Sequence, residues 1–267
     1  MRPWLTNLRR LIRRKRPGHR ITFTGDYDSW EAALRETVGY DAAVILEKTR
    51  AAMLKIKNGE ARYERDSVLF DKVEYSFPVL ALLLRAALES NGRLSVLDFG
   101  GALGSSYFQC RSFLQSVRQL EWLVVEQPGH VACGKRDFES SVLHFYESTE
   151  ACLASHQPNV LLLSSVLQYL SGPHAMLGEF LSLGLPYAVI DRTPFLASGR
   201  DRLTVQHVPS AIYEASYPAW FFSEAKFKDQ IQSAGYEIIT DFPGRDKISP
   251  VDEAAYFKGF ILRKEGG

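Results

Sequence analysis

The sequence predicts an α/β protein with a Rossmann-like, doubly wound sheet of seven strands, strand seven antiparallel, preceded by an N-terminal helical layer. From Leu94 onward, short apolar runs alternate with amphipathic segments, which is the pattern of parallel strands joined by helices. Residues 95–106, SVLDFGGALGSS, indicate a buried strand, a glycine turn and the start of a helix. A strand that leads through such a turn into a helix is typical of a nucleotide-type binding site.

The individual elements follow from apolar runs and from the Gly and Pro residues that interrupt them. The predicted strands of the sheet are 94–98, 122–126, 142–146, 160–164, 187–191, 236–242 and 255–263. The predicted helices that connect them are 105–118, a helix ending near 138, 174–183 and 223–234. Three prolines, Pro194, Pro209 and Pro218, favour an irregular insertion over 192–222.

The region before the sheet is expected to form a helical layer or lid over residues 21–92. Helical spacing of apolar residues predicts helices over 29–57 and 76–89, and Asn-Gly pairs follow both segments. The predicted organisation is therefore a tail at 1–20, the layer at 21–92 and the binding domain at 93–267.

Charge is unevenly distributed along a chain whose net charge is only +1. The first 20 residues contain eight basic residues and no acid, whereas the remainder has 24 basic and 31 acidic residues. The mildly acidic body argues against a nucleic-acid partner. The basic tail is either solvated or forms an amphipathic helix that contacts an anionic membrane surface.

The cysteines, the histidines and the hydropathy of the chain indicate which cellular compartment, metal sites and membrane segments to expect. The chain has three cysteines, an odd number without close spacing, which is typical of a reducing compartment. We therefore expect a cytoplasmic protein, and peripheral contact with a membrane stays open. The six histidines are scattered, and we expect no metal site. No apolar run approaches the roughly 20 residues of a membrane-spanning helix.

The glycine turn contains the first candidate cofactor contacts, Gly100, Gly101 and Gly104. Ala102 stands where a dinucleotide fingerprint has its middle glycine, which disfavours NAD. Asp98, at the end of the preceding strand, offers a carboxylate to the ammonium group of S-adenosylmethionine (SAM). The turn therefore favours SAM, although NAD stays an alternative.

Four further residues are expected to bind the cofactor. Glu126 ends the next strand, about 20 residues after the turn, where an acid accepts hydrogen bonds from ribose hydroxyls. Phe145 either stacks on adenine or belongs to the core. Ser164 and Gln168 lie at or just after the fourth strand, at the switch point of the sheet.

Several motifs resemble those of the seven-strand, class I SAM-dependent methyltransferases. VLDFGGALG resembles their motif I, SSVLQYL is similar to their strand-four segment, and FFSEAKFKDQIQSAGYEIITDF resembles their late helix and strand six. More narrowly, YERD, DFGGxLGS, WxVVEQ and IDRTPF resemble a methyltransferase family met in bacterial surface-polysaccharide gene clusters. The resemblance covers most of residues 30–263.

The resemblance implies direct, in-line transfer of a methyl group from the sulfonium of SAM to a nucleophile. A hydroxyl acceptor also needs a base, for which Asp191 and His207 are the first candidates and Glu64 or Asp66 the alternatives. The residues expected to bind the acceptor are Tyr63, Arg65, Asp66, Arg192 and Trp220.

The function expected from the sequence is therefore SAM-dependent methyl transfer, with O-methylation of a small or saccharide acceptor in surface-glycan biosynthesis as the specific hypothesis. Two alternatives remain open: an NAD-dependent oxidoreductase or epimerase, and a non-catalytic protein that keeps the SAM fold.

Overall fold

A computed structural model describes residues 21–37, 42–65, 67–209, 215–244, 246 and 252–266 of the chain. The basic tail at 1–20 and Asp66 lie outside the described residues. Among the described helices, none combines the length and the apolar character needed to cross a membrane.

The chain forms twelve strands and eight α-helices in the described residues. The strands are β1 Thr22–Tyr27, β2 Tyr63–Arg65, β3 Val68–Phe70, β4 Arg93–Phe99, β5 Gln119–Val125, β6 Leu143–Tyr146, β7 Val160–Ser164, β8 Tyr187–Leu196, β9 Arg202–Val208, β10 Ala215–Phe221, β11 Tyr236–Pro243 and β12 Ala255–Lys264. The helices are α1 Trp30–Arg35, α2 Ala42–Lys57, α3 Phe77–Glu89, α4 Ser105–Cys110, α5 Pro128–Asp137, α6 Thr149–Leu153, α7 Pro173–Ser182 and α8 Glu224–Ser233. A short 3₁₀ turn, Leu167–Tyr169, follows β7.

The main sheet has seven strands in the order β11-β12-β8-β7-β4-β5-β6. Strands β8, β7, β4, β5 and β6 run parallel, whereas β12 is antiparallel to both β8 and β11. The predicted Rossmann-like sheet with an antiparallel last strand is confirmed. Strand order changes direction between β4 and β7. In sheets of this kind, ligands commonly bind in a crevice at the carboxyl ends of the two strands where the order changes.

Both faces of the sheet are covered by helices. On β4, Val96 belongs to the core shared with α3, α4 and α5, whereas Leu97 belongs to the core shared with α7 and α8. Successive side chains of a strand point to opposite faces, so a strand buried on both sides consists mainly of apolar residues. This explains why the parallel strands were recognisable as apolar runs.

The expectation of an irregular insertion over 192–222 is wrong. Strand β8 continues to Leu196, and β9 and β10 form a second, antiparallel sheet with β1 in the order β1-β9-β10. Pro218 is tolerated because β10 is an edge strand of that sheet. Pro194 is tolerated because β7 pairs with β8 only as far as Asp191, so no donor is required on that side of β8.

The N-terminal layer is not entirely helical. In place of one helix over 29–57, the structure has α1 and α2, and it adds β1 and the β2–β3 hairpin, whereas α3 lies as predicted. Helix α4 is also shorter than predicted: it ends at Cys110, and the chain continues in turns in which Phe113 N–H donates to the Cys110 carbonyl.

Candidate cofactor and acceptor site

The turn after β4 needs glycine at two positions for reasons of space. Gly100 and Gly104 have φ angles of +73° and +87°. A Cβ at Gly100 would lie 2.5 Å from Val166 Cγ2, and one at Gly104 would lie 2.9 Å from Leu143 Cδ2. Both glycines therefore let the turn approach neighbouring elements closely at the point where α4 begins.

Asp98 lies directly beneath this turn. Its side chain is 1% exposed, and Trp122 Nε1 donates a hydrogen bond of 2.8 Å to Asp98 Oδ2. A Cβ at Gly101 would lie 2.6 Å from the Asp98 carboxylate, so Gly101 leaves room for this acid. Burial raises the pKa of Asp98 to about 7, the Trp122 hydrogen bond opposes this rise, and the charge of Glu126 adds to it. No cation among the described residues contributes to this pKa shift.

Glu126 follows β5, the strand next to β4, so the two acids lie at adjacent strand ends. Its backbone N–H donates to the Tyr146 carbonyl, and its Oε2 accepts a hydrogen bond of 2.7 Å from Gln127 N–H. His130 Nδ1 is 3.9 Å from the same oxygen. Because β4 and β5 are parallel neighbours with Asp98 opposite Val124, both acids lie at the carboxyl edge of the sheet.

Gln168 lies in the 3₁₀ turn after β7 and is 2% exposed. Its Nε2 donates to Ser165 Oγ at 3.0 Å and lies 3.5 Å from the Arg192 carbonyl. Because a carbonyl only accepts, the amide nitrogen must face Arg192. The Gln168 Oε1 atom is then a buried acceptor with no hydrogen-bond partner among the described residues. Such an atom calls for a donor from a ligand or solvent.

Ser164, at the end of β7, pairs with Asp191 of β8.

Asp191 is 7% exposed and lies where β8 passes the end of β7. Its Oδ1 accepts a hydrogen bond of 2.8 Å from Arg192 N–H, and the nearby Ser76 hydroxyl lowers the pKa of the carboxyl. Burial raises the pKa of Asp191, the charge and N–H of Arg192 lower it, and the charge of Asp246 raises it. The carboxyl is thus a buried acid that accepts a proton more readily than an exposed aspartate.

Asp191 and Arg192 lie in a β-bulge of β8, which sets the directions of their side chains. The β8–β12 register passes from Thr193 opposite Lys258 to Ile190 opposite Phe260, so Asp191 and Arg192 together face Gly259. Arg192 has a φ of +54°, a conformation that side chains other than glycine rarely adopt. Bulges commonly redirect side chains beside binding sites.

The β2–β3 hairpin of the N-terminal layer contacts the start of α4. Glu64 is 4% exposed and accepts hydrogen bonds from the Ser105 hydroxyl at 2.8 Å and the Ser67 N–H at 2.6 Å. Tyr63 is buried beside Phe70, and its hydroxyl accepts from Gln109 at 3.2 Å. Glu64 thereby joins the hairpin to the glycine turn, a role that the sequence did not reveal.

Three residues that the sequence assigned to the site have surroundings that differ from the predicted ones. Phe145 is fully buried, and a Cβ at Gly134 would lie 2.4 Å from its ring, so no ring face is available to adenine. Trp220 donates from Nε1 to the Leu170 carbonyl at 3.1 Å and thus packs β10 against the segment after β7. His207 Nε2 and Thr24 Oγ1 form a hydrogen bond of 2.8 Å between β9 and β1. No contact among the described residues joins His207 to Asp191.

Three residues of this edge escaped sequence reasoning: Trp122, Ser76 and Asp246. Trp122 stands in the WxVVEQ motif, which was the available signal for a group that contacts Asp98. Ser76 precedes α3 and was identified only as a helix start. Asp246 lies in the connection between β11 and β12 and gave no signal.

The carboxyl edge of the sheet therefore contains the buried carboxyl groups of Asp98 and Asp191, the carboxylate of Glu126, the Oε1 atom of Gln168 and the side chain of Arg192. Asp98, Glu126 and Gln168 suit a ligand with an ammonium group and hydroxyls. Asp191 suits a proton transfer. No cluster of three or more His, Cys, Asp or Glu side chains able to bind a metal ion occurs in the described part of the chain.

The chain is similar in fold to solved structures of low sequence identity. No protein-family model and no curated protein matches the sequence. Among solved structures, the chain is similar to magnesium protoporphyrin IX methyltransferase of Synechocystis PCC 6803 with bound SAM, at 13% identity and a TM-score of 0.46 over 85% of this chain and 99% of that one. It is similar to the N-terminal domain of EvdMO1 in the presence of SAH and D-fucose, at 12% identity and a TM-score of 0.48 over 85% and 98%. It is also similar to a SAM-dependent methyltransferase of Clostridium acetobutylicum, at 8% identity and a TM-score of 0.44 over 70% and 91%.

Proposed function

We propose that this protein is a SAM-dependent methyltransferase. The observation that carries the proposal is the pair of neighbouring carboxylates, Asp98 and Glu126, beside a turn whose Gly101 leaves room for Asp98. Asp98 would bind the ammonium group of SAM, because no cation among the described residues offsets its charge and its pKa is raised to about 7. Glu126 would accept hydrogen bonds from the ribose hydroxyls.

Gln168 supports the same cofactor. Its buried Oε1 lacks a donor among the described residues, and it lies after β7, where the strand order changes direction. Ser164 ends that strand at the same edge of the sheet. When bound, SAM supplies an electrophilic methyl group. The remaining chemistry, which is to orient the acceptor and remove its proton, belongs to the residues of this chain.

Asp191 is proposed as the base for a hydroxyl acceptor. Its burial raises its pKa, which makes the carboxylate a stronger base than an exposed aspartate, while the hydrogen bond from Arg192 N–H holds its orientation. The hydroxyl proton would pass to the carboxylate as the oxygen gains the methyl group. His207 is a weaker candidate, because its contact is with Thr24 in the second sheet.

The acceptor and the location are proposed from the sequence. The motif resemblance favours a small or saccharide acceptor in surface-glycan biosynthesis, in the cytoplasm. The eight basic residues of the first 20 would allow peripheral contact with an anionic membrane. Tyr63, Arg65, Arg192 and Trp220 remain the proposed acceptor contacts, together with Asp66, which lies outside the described residues.

Calorimetric titration with SAM, and separately with NADH, tests the cofactor. We expect SAM to bind and NADH not to bind, and Glu126→Gln to weaken SAM binding by at least about tenfold, which is the loss of a charged hydrogen bond. NADH binding without SAM binding would replace this proposal by an NAD-dependent enzyme.

Mass spectrometry of a cell extract incubated with methyl-labelled SAM then tests turnover. Native protein should label a product and Asp191→Asn should label much less. SAM binding without turnover would indicate a non-catalytic protein.

A further inference from the structure

Two arginines from distant parts of the chain meet at one carboxylate beside Asp191. Arg192 Nε donates a hydrogen bond of 2.9 Å to Asp246 Oδ2, and Arg65 Nη1 lies 3.8 Å from Asp246 Oδ1. Arg192 belongs to β8 of the main sheet and Arg65 to β2 of the N-terminal layer. The three side chains are 23%, 25% and 22% exposed, so a dissolved molecule can reach them.

The contact of Asp246 with the two guanidinium groups is incomplete. A guanidinium binds an oxyanion best through two parallel hydrogen bonds, whereas Asp246 makes one short bond to Arg192 and a longer ion pair to Arg65. Arg65 also lies 3.4 Å from Glu74 and 5.4 Å from the centre of the Phe70 ring, contacts that orient its guanidinium. A free oxyanion could bind both arginines with better geometry than a carboxylate attached to the chain.

Asp246 enters the site from a long connection. Residues 244–254 join β11 to β12, which are antiparallel neighbours, and such neighbours commonly need only about two to five connecting residues. Asp246 lies three residues after the end of β11, and its contacts with Arg65 and Arg192 place it beside β2 and β8.

The position of Asp246 is also close to the proposed base. Its negative charge is one cause of the raised pKa of Asp191. An anionic group held by Arg65 and Arg192 in place of Asp246 would therefore lie beside Asp191. A hydroxyl a few bonds away on the same molecule could then face the Asp191 carboxylate.

We propose that Arg65 and Arg192 form a subsite for a carboxylate or phosphate group of the acceptor, and that Asp246 occupies this subsite in the free protein. The inference rests on the proposed methyl transfer and names its substrate class as an acidic or phosphorylated acceptor.

Calorimetric titration with glucuronic acid, glucose 1-phosphate and neutral glucose tests the subsite. Asp246→Asn removes the charge of Asp246 from beside both guanidinium groups, so we expect one or both acids to bind up to about tenfold more tightly than to native protein, and no change for glucose. The acid with the larger gain identifies a carboxylate or a phosphate as the preferred group. The matched control is Glu237→Gln, which releases Arg263 from an ion pair of 2.7 Å between β11 and β12 and should leave every affinity unchanged.

Two further variants keep the test decisive. Arg65→Gln with Arg192→Gln should remove the gain produced by Asp246→Asn, and Asp246→Ser covers the case in which the asparagine variant folds poorly. Equal affinities in native and Asp246 variants, or a gain that survives loss of both arginines, would overturn the subsite. SAM titrated into the same samples separates the two proposals: retained SAM binding without acid binding refutes the subsite alone, whereas loss of SAM binding by native protein refutes the methyltransferase.

Discussion

Asp98 is the residue whose replacement tests the proposed site most directly. Its pKa rises from 3.8 to about 7 in the folded protein, mainly through burial. Between about pH 4 and pH 7 the folded state therefore keeps a proton that the unfolded state has lost. Stability then falls as pH rises through this window, because the unfolded state binds fewer protons than the folded state.

The expected magnitude follows from the size of the shift. A difference of one pKa unit corresponds to about 1.4 kcal/mol, so the shift amounts to about 4 kcal/mol in total, of which about 3 kcal/mol is lost between pH 5 and pH 8. Asp98→Asn keeps an oxygen for the Trp122 N–H but does not ionise. The variant should therefore gain about 3 kcal/mol relative to native protein over this range.

Urea unfolding of both proteins at pH 5, 6, 7 and 8 measures this difference. Asp26→Asn serves as the control, because Asp26 is an exposed aspartate with a side chain 48% exposed, and its pH dependence should follow that of native protein. Parallel stability curves for native protein and Asp98→Asn would refute the buried, uncompensated carboxyl.

SAM binding should have the opposite pH dependence. An ammonium group beside Asp98 favours the charged carboxylate, so native protein should bind SAM more tightly as pH rises towards 7, by up to about tenfold per pH unit. Asp98→Asn should bind more weakly at pH 8 and lack this dependence. A pH-independent native affinity would show that Asp98 does not bind the ammonium group.

The remaining predictions concern the surroundings of the turn. Gly101→Ala should cost about 1–3 kcal/mol of stability and weaken SAM binding, because the new methyl group would lie 2.6 Å from a carboxylate, whereas Gly172→Ala, which has open space, should do neither. Trp122→Phe should raise the pKa of Asp98 and move the pH midpoint of SAM binding upward, since a hydrogen bond to the charged form is lost. Glu64→Ala should lower the unfolding free energy by about 1–3 kcal/mol in urea, because two donors lose their buried acceptor. An unchanged midpoint or an unchanged unfolding free energy would contradict the last two.

Much of the main sheet could be predicted because its signals are local. Strand β7, predicted at 160–164, lies at Val160–Ser164, since a strand buried on both faces is a continuous apolar run between polar residues. The spacing from the glycine turn to Glu126 likewise placed two acids at neighbouring strand ends. The second sheet was missed because the prolines of β8 and β10 suggest loops unless pairing partners are known.

The contacts around the candidate site depend on residues far apart in sequence. Arg65, Arg192 and Asp246 meet only because the hairpin, the bulge of β8 and the β11–β12 connection converge, and no local pattern encodes that. The orientation of Gln168 depends in the same way on the Arg192 carbonyl. Sequence could therefore identify Arg65 and Arg192 as candidates but not their shared partner.

Backbone strain links these observations to function. Among the described residues, five other than glycine have a positive φ, and three of them, Ala102, Ser165 and Arg192, follow or lie within β4, β7 and β8. These strands are consecutive neighbours in the sheet, and the three residues lie near its carboxyl edge. Each left-handed residue costs about 1–2 kcal/mol, and such strain persists where the surrounding structure fixes the backbone. At Ser165 the fixing contact is its N–H bond to the Asp191 carbonyl, at 3.0 Å. The strained positions thus lie at the same carboxyl edge of the sheet as Asp98, Gln168 and Asp191, and the cores packed on both faces of the sheet fix the backbone there.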